Sequence, residues 1–155
     1  MLTIGAIMIL SQLVLNVYEG FLSSGDVLQE SKLGVLATSV ATSIQEDAAG
    51  KAFDEVSIDD FIGSENQLTA DLGPESGEAY PDFDDFDDFN NLEITDTTWS
   101  IPYQVRAKVV YVSATNPDSE ESTRTWHKKL TVSVTSSFTP DTVSLNYVFS
   151  YWTFR

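Results

Sequence analysis

The sequence has no cysteine, one histidine (His127) and only eight basic side chains against 24 acidic ones. Without cysteine there is no disulfide scaffold, no thiolate metal site and no cysteine nucleophile. A single imidazole is a poor basis for a histidine-rich zinc site or for most acid–base catalysis. The formal charge of −16 argues against nucleic acid as a partner, because phosphate binding needs Lys and Arg to release counterions. No enzyme is expected from this inventory. Charge is also missing locally, since Met1–Tyr18 carries no charged side chain and Glu19 is the first.

What is present fits one domain of 155 residues, with 42% hydrophobic residues to build a core. The charge divides the chain in three. Residues 1–50 hold five acids and one base, residues 51–100 fifteen and one, and residues 101–155 four and six. An apolar head, an acidic middle and a slightly basic tail follow one another, so chains side by side are expected to set acidic middles against basic tails.

The head reads as one long helix in two halves. The first half is residues 1–25, of which Met1–Tyr18 is mostly Leu, Ile, Val, Met and Ala, interrupted by Thr3, Ser11, Gln12 and Asn16. Roughly 20 apolar residues cross a bilayer as a helix, so this half is long enough. A cleaved secretory signal opens with Lys or Arg and ends at a small-residue cleavage motif. No basic residue precedes Lys32 and no A-x-A motif follows the apolar run. Residues 26–50 resume a 3.6-residue rhythm, with Val27, Leu28, Leu33, Leu36, Val40, Ala41, Ile44 and Ala48 on one face. Gly20 and Gly25 lie between the halves and weaken the helix there, so a break is expected at that point. A half that is apolar all round has to be buried everywhere, in lipid or among copies of itself.

Residues 51–99 form an acidic connecting region punctuated by Gly63, Gly73-Pro74, Gly77 and Pro81. Phe53, just after the helix, is expected to anchor the chain. Phe83, Phe86 and Phe89 recur at every third position, with acids between them. That spacing puts the rings on one side of a 3₁₀-like turn, where they plug a groove while the carboxylates stay in water. Asp82, Asp84, Asp85, Asp87 and Asp88 are the candidate ligands for Ca²⁺, a cation that wants six to eight oxygens. Their spacing does not follow the EF-hand pattern, so a solvated acidic loop pinned by aromatics is the stronger expectation and no cofactor is assigned.

Residues 100–155 alternate as strands: Val105, Ala107, Val109 and Tyr111 with Arg106 and Lys108 outward, then Trp126 to Val134, then Val143 to Phe149. Thr115–Ser122 and Thr139-Pro-Asp141 read as turns. Trp99, Trp126 and Trp152 are expected to pack in the core or an interface, and His127 to be an ordinary strand residue. The expected fold is α+β: a long N-terminal helix packed on an antiparallel sheet of three or four strands.

This order of parts is similar to the type IV pilin superfamily. Lys51-Ala-Phe-Asp54, Leu72-Gly-Pro-Glu-Ser-Gly-Glu78, Phe83-Asp-Asp-Phe-Asp-Asp-Phe-Asn90 and Lys129-Leu-Thr-Val-Ser-Val-Thr135 resemble segments of minor-pilin-like and pseudopilin-like proteins of bacterial cell-surface systems. Met1-Leu-Thr-Ile-Gly5 stands where pilins usually carry Phe-Thr-Leu-Ile-Glu, and Gly20 and Gly25 take the place of their helix-breaking proline. The resemblance implies a structural subunit of an extracellular, pilus-like homopolymer with an inner-membrane stage before assembly. Met1, Leu2, Ile4, Ile7, Met8, Leu10, Leu13, Val14, Val17 and Phe21 would then form the filament core against copies of the same chain. The rival readings are a pseudopilin of a secretion system and a binding module on a single-pass anchor, taking Ca²⁺ or a basic ligand through residues 82–88.

Overall fold

A computed structural model describes residues 2–152, except the side chains of Leu2, Thr3, Asp59 and Pro140. Met1 and the Leu2 side chain, both expected in the filament core, therefore lie outside what is described. One helix, α1 (Leu2–Ala49), takes up the first third of the chain. It runs through Gly20 and Gly25 without interruption, so the expected break is absent from this structure. The physical reason is that each glycine costs only about 1 kcal/mol and keeps its N–H donor, whereas proline would remove one.

Five antiparallel strands follow: β1 (Glu93–Asp96), β2 (Tyr103–Ser113), β3 (Asn116–Glu120), β4 (His127–Ser136) and β5 (Thr139–Ser150). The sheet order is β1-β2-β4-β5, with β3 paired to the far end of β2. The fold is thus α+β, a long N-terminal helix packed on a C-terminal antiparallel sheet of five strands. Two of those strands, β1 and β3, lie where loop and turn were expected. The β4–β5 turn is Ser137-Phe138, because Ser136 pairs with Thr139, and Thr139-Pro-Asp141 opens the last strand instead.

Period-two alternation decides which side chains face α1. Val105, Ala107, Val109 and Tyr111 stand opposite Val134, Val132, Leu130 and Lys128 of β4. Those four in turn face Val143, Leu145, Tyr147 and Phe149 of β5. Arg106 and Lys108 point outward, as expected, and pair with Glu93 and Glu120 across the exposed face. The covering stripe on α1 is Leu33, Ala37, Val40, Ala41, Ile44 and Ala48, all buried. Tyr103 locks the start of that stripe by donating its hydroxyl to the Leu33 carbonyl at 3.1 Å.

The amphipathic half covers the sheet over a shorter length than its rhythm suggests. Val27 and Leu28 continue the apolar face yet stand in solvent, because the sheet ends below them. Every described side chain from Ile4 to Lys32 is exposed. At 1.5 Å per residue, roughly 45 Å of helix stands clear of the globular part.

Candidate functional site: an uncovered helix and a buried acidic loop

Two features fall outside ordinary core packing. The first is the free stretch of α1. Ile4, Ile7, Met8, Leu10, Leu13, Val14 and Val17 are each 56–64% exposed, and Phe21 is 74% exposed. Ile9, Leu15, Tyr18 and Leu22 share that exposure, so the helix is apolar on all sides and not along one stripe. Among the described residues one helix is long and apolar enough to cross a membrane, and this is it. Its polar interruptions are mild: the Ser11 hydroxyl donates to the Ile7 carbonyl one turn back, at 2.8 Å.

The second feature is the acidic loop, which folds inward. Phe83, Phe86 and Phe89 are buried, as their spacing implied. Phe83 and Phe89 meet edge-to-face at 5.1 Å between centroids, and Phe86 meets Phe149 of β5 in the same way. The last two of that run lie in or against a 3₁₀ turn, Asp87–Phe89. Three of the carboxylates do not stay in water. Asp82 and Asp84 are exposed, but Asp85, Asp87 and Asp88 are buried with the rings. With all three rings inserted, Asp85, Asp87 and Asp88 are carried inside beside them and have to be satisfied there, while Asp84 turns out to solvent.

Backbone amides and one lysine satisfy one oxygen of each, while Asp85 Oδ2, Asp87 Oδ2 and Asp88 Oδ1 are buried without a hydrogen-bond partner. Asp85 Oδ1 accepts the amides of Asp87 (2.7 Å) and Asp88 (3.1 Å), while Asp88 Oδ2 accepts those of Asp84 and Asp85, both at 3.1 Å. Lys128 reaches the loop from β4, where its parity turns it inward between Tyr111 and Phe149. Fully buried, its Nζ donates to the Phe53 carbonyl (2.7 Å), to Asp54 Oδ2 (2.9 Å) and to Asp87 Oδ1. The ammonium also lies 4.7 Å from the Phe53 ring centroid, a cation–π contact. Asp54 is the second hub, accepting the Thr69 amide at 3.0 Å and the Thr69 hydroxyl at 3.1 Å. Tyr111 closes the ring by donating to the Thr69 carbonyl at 2.6 Å.

The loop is tied down elsewhere by main chain. Ala52 and Asp85 form a parallel bridge, with the Phe86 amide donating to the Ala52 carbonyl at 2.9 Å. Asn90 clamps two elements, donating to the Leu72 carbonyl and accepting the Val109 amide. Phe53 is buried against Phe149 and Tyr151, the anchoring role expected of it.

Desolvation governs the electrostatics. Burial pushes the Asp85 carboxyl up to about 8, helped by Asp87 and opposed by Lys128. Asp87 is raised as well, burial outweighing the attraction of Lys128. Glu75 is raised to about 7 by burial, by its hydrogen bond with Glu78 and by the charge of Asp88. Burial also pushes the Tyr111 phenol up.

The five acids taken from the sequence as Ca²⁺ ligands do not converge. Of them, Asp88 joins a group of three carboxylates close enough to hold one metal ion, and its companions are Glu75 and Glu78. Asp82 and Asp84 face solvent, Asp87 is taken by Lys128, and Asp85 caps the 3₁₀ turn. Sequence reasoning missed Lys128 and Asp54 as a buried pair; the strict alternation of β4 placed Lys128 on the inward parity and was the signal available. Of the tryptophans, Trp126 packs on Tyr151 and Trp152, while Trp99 and Trp152 are about half exposed. His127 is half-buried and pairs through Nδ1 with the Ser150 hydroxyl.

Comparison with family models, with curated proteins and with solved structures finds no match.

Proposed function

We propose that this chain is a structural subunit of a pilus-like filament, held in a membrane by residues 1–25 before assembly and packed against copies of itself afterwards. The observation that carries this reading is the free stretch of α1, apolar on all sides and covered by nothing in its own chain. Twelve large apolar side chains between Ile4 and Leu22 are more than half exposed. At about 25 cal/mol per Å² removed from water, sheltering them contributes on the order of 10–20 kcal/mol per chain. That exceeds or matches the several kcal/mol lost when free subunits become fixed. Lipid supplies the shelter in a membrane, and neighbouring helices supply it outside. The similarity of the order of parts to type IV pilins supports the same reading, as does a small domain carried on one end of the helix.

Electron microscopy of the purified or shed material tests it directly: helical filaments are expected, and discrete monomers under all conditions would end the idea. A single-pass anchor carrying a binding domain is favoured by the same helix and by the acidic loop. Deleting residues 1–25 separates the two. A filament subunit loses assembly and becomes a water-soluble monomer, whereas an anchored binding module keeps its ligand affinity unchanged.

A further inference from the structure

We propose that Glu75, Glu78 and Asp88 form a binding site for a hard divalent cation, calcium before any other. One carboxylate oxygen from each lies within 4.8 Å of the other two, although Asp88 is ten residues away in sequence from its nearer companion. Oxygens on opposite sides of one Ca²⁺ stand about 4.8 Å apart, given metal–oxygen distances near 2.4 Å, so a single ion can touch all three.

The second observation is independent of that clustering. Asp88 is 1% exposed, and its Oδ1 has no hydrogen-bond partner. Its Oδ2 is fixed by the amides of Asp84 and Asp85, which hold the carboxylate in one orientation and leave Oδ1 for something else. Glu75 Oε2 is likewise buried and unpartnered. An orphaned buried acceptor costs about 1–3 kcal/mol, and more when charged. Asp85 Oδ2 and Asp87 Oδ2 are also unpartnered, but Asp88 and Glu75 are the two such residues that belong to the triad, which therefore calls for a positive ligand. Lys128, the buried cation of this region, is already engaged by Asp54 and Asp87.

The donor set selects the ion. All three ligands are carboxylates, which suit Ca²⁺ and Mg²⁺, while zinc prefers nitrogen and sulfur. With Asp88 Oδ2 held by its two amides, the three carboxylates offer up to five oxygens, and the half-buried Glu75 and Glu78 leave one side open for water to complete the shell. Calcium tolerates such an irregular shell, whereas Mg²⁺ demands a near-ideal octahedron. Occupied, the site ties the Gly73–Glu78 turn to the aromatic run and removes the repulsion among its acids. Occupancy is a property of the single chain and does not depend on filament assembly.

Isothermal titration of the full chain in detergent micelles, stripped with chelator and titrated with CaCl₂, tests the proposal. One equivalent of Ca²⁺ is expected to bind saturably and to raise the thermal midpoint, with Mg²⁺ weaker. The Glu75→Gln/Glu78→Gln double variant should lose at least about tenfold in affinity, and Glu78→Gln alone should weaken it measurably, because fewer charged oxygens face the ion. Asp82→Asn, exposed and outside the triad, should bind as the parent does. Far-UV circular dichroism checks that each variant is folded. Absence of saturable Ca²⁺ binding to the parent chain at millimolar concentration overturns the site, and so does an affinity that Glu78→Gln and the double variant leave unchanged.

Discussion

Lys128 is the residue on which the acidic loop turns. It contributes one positive charge to a volume that Asp54, Asp85, Asp87 and Asp88 share, and water reaches none of them. Removing one partner of a buried pair leaves the other charge uncompensated, which costs about 3–5 kcal/mol. Lys128→Met keeps most of the side-chain volume and removes the charge, so its urea midpoint should fall by that equivalent; a loss under about 1 kcal/mol would mean the pair is not desolvated in solution. Proton linkage gives a second expectation. Burial holds Asp85 at about 8 and Glu75 at about 7, against ordinary carboxylate values near 4. Between those limits the folded chain binds more protons than the unfolded one, so stability is fullest on the acid side and declines as pH rises toward 8. Chelator-treated protein should therefore show a lower urea midpoint at pH 8 than at pH 5.5, and Asp85→Asn should flatten the difference. A midpoint that climbs over that interval contradicts the assignment.

At the scale of elements, α1 is a single rod whose two ends do different work. A Cβ added at Gly20 or Gly25 meets nothing within 4 Å. Gly20→Ala and Gly25→Ala should each strengthen the isolated helix by about 1 kcal/mol and raise helicity by circular dichroism without disturbing the sheet. If these glycines are instead points where the helix opens during assembly, the double variant stays folded and fails to polymerise. The strands show what sequence can and cannot carry. In β2 and β4 the alternation of Val105 to Tyr111 and of Lys128 to Val134 reports the buried face directly, since one face meets α1 and the other meets water. In β1 the four residues Glu93–Asp96 are too few to alternate visibly, and in β3 Asn116–Glu120 is polar apart from Pro117 and exposed throughout. Both strands owe their existence to β2, which offers an unpaired edge, and to the pairs Arg106–Glu93 and Lys108–Glu120. The candidate site was legible only in part for a related reason. The triplet spacing of Phe83, Phe86 and Phe89 forecast their insertion, but charge alone suggested that the acids beside them would stay wet. Nor does any spacing rule bring Glu75 and Glu78 to Asp88; that meeting depends on the turn through Gly73 and Gly77, both at positive φ.

At the scale of the whole molecule the charge distribution acts differently from what the three-part sequence suggests. An acidic middle and a basic tail look made for pairing between neighbours. Folding removes most of that opportunity within one chain. Lys128 is buried with Asp54 and Asp87, while Arg106 and Lys108 are matched to Glu93 and Glu120. Arg124 and Lys129 donate to the backbone carbonyls of Asn66 and Asp118. Among the described bases of the tail, three of five are thus matched to acids of their own chain, whereas most of the formal charge of −16 remains outside these pairs. If copies assemble through the apolar helix, the globular parts repel as they approach. Salt screens such repulsion, with a Debye length of about 30 Å at 0.01 M and about 10 Å at 0.1 M, and it does not weaken apolar burial. The fraction of full-length chain pelleted by ultracentrifugation should therefore rise as NaCl is increased from about 10 to about 150 mM. Dissolution over the same range would show that acid–base pairs between subunits, and not the helix, hold the assembly together.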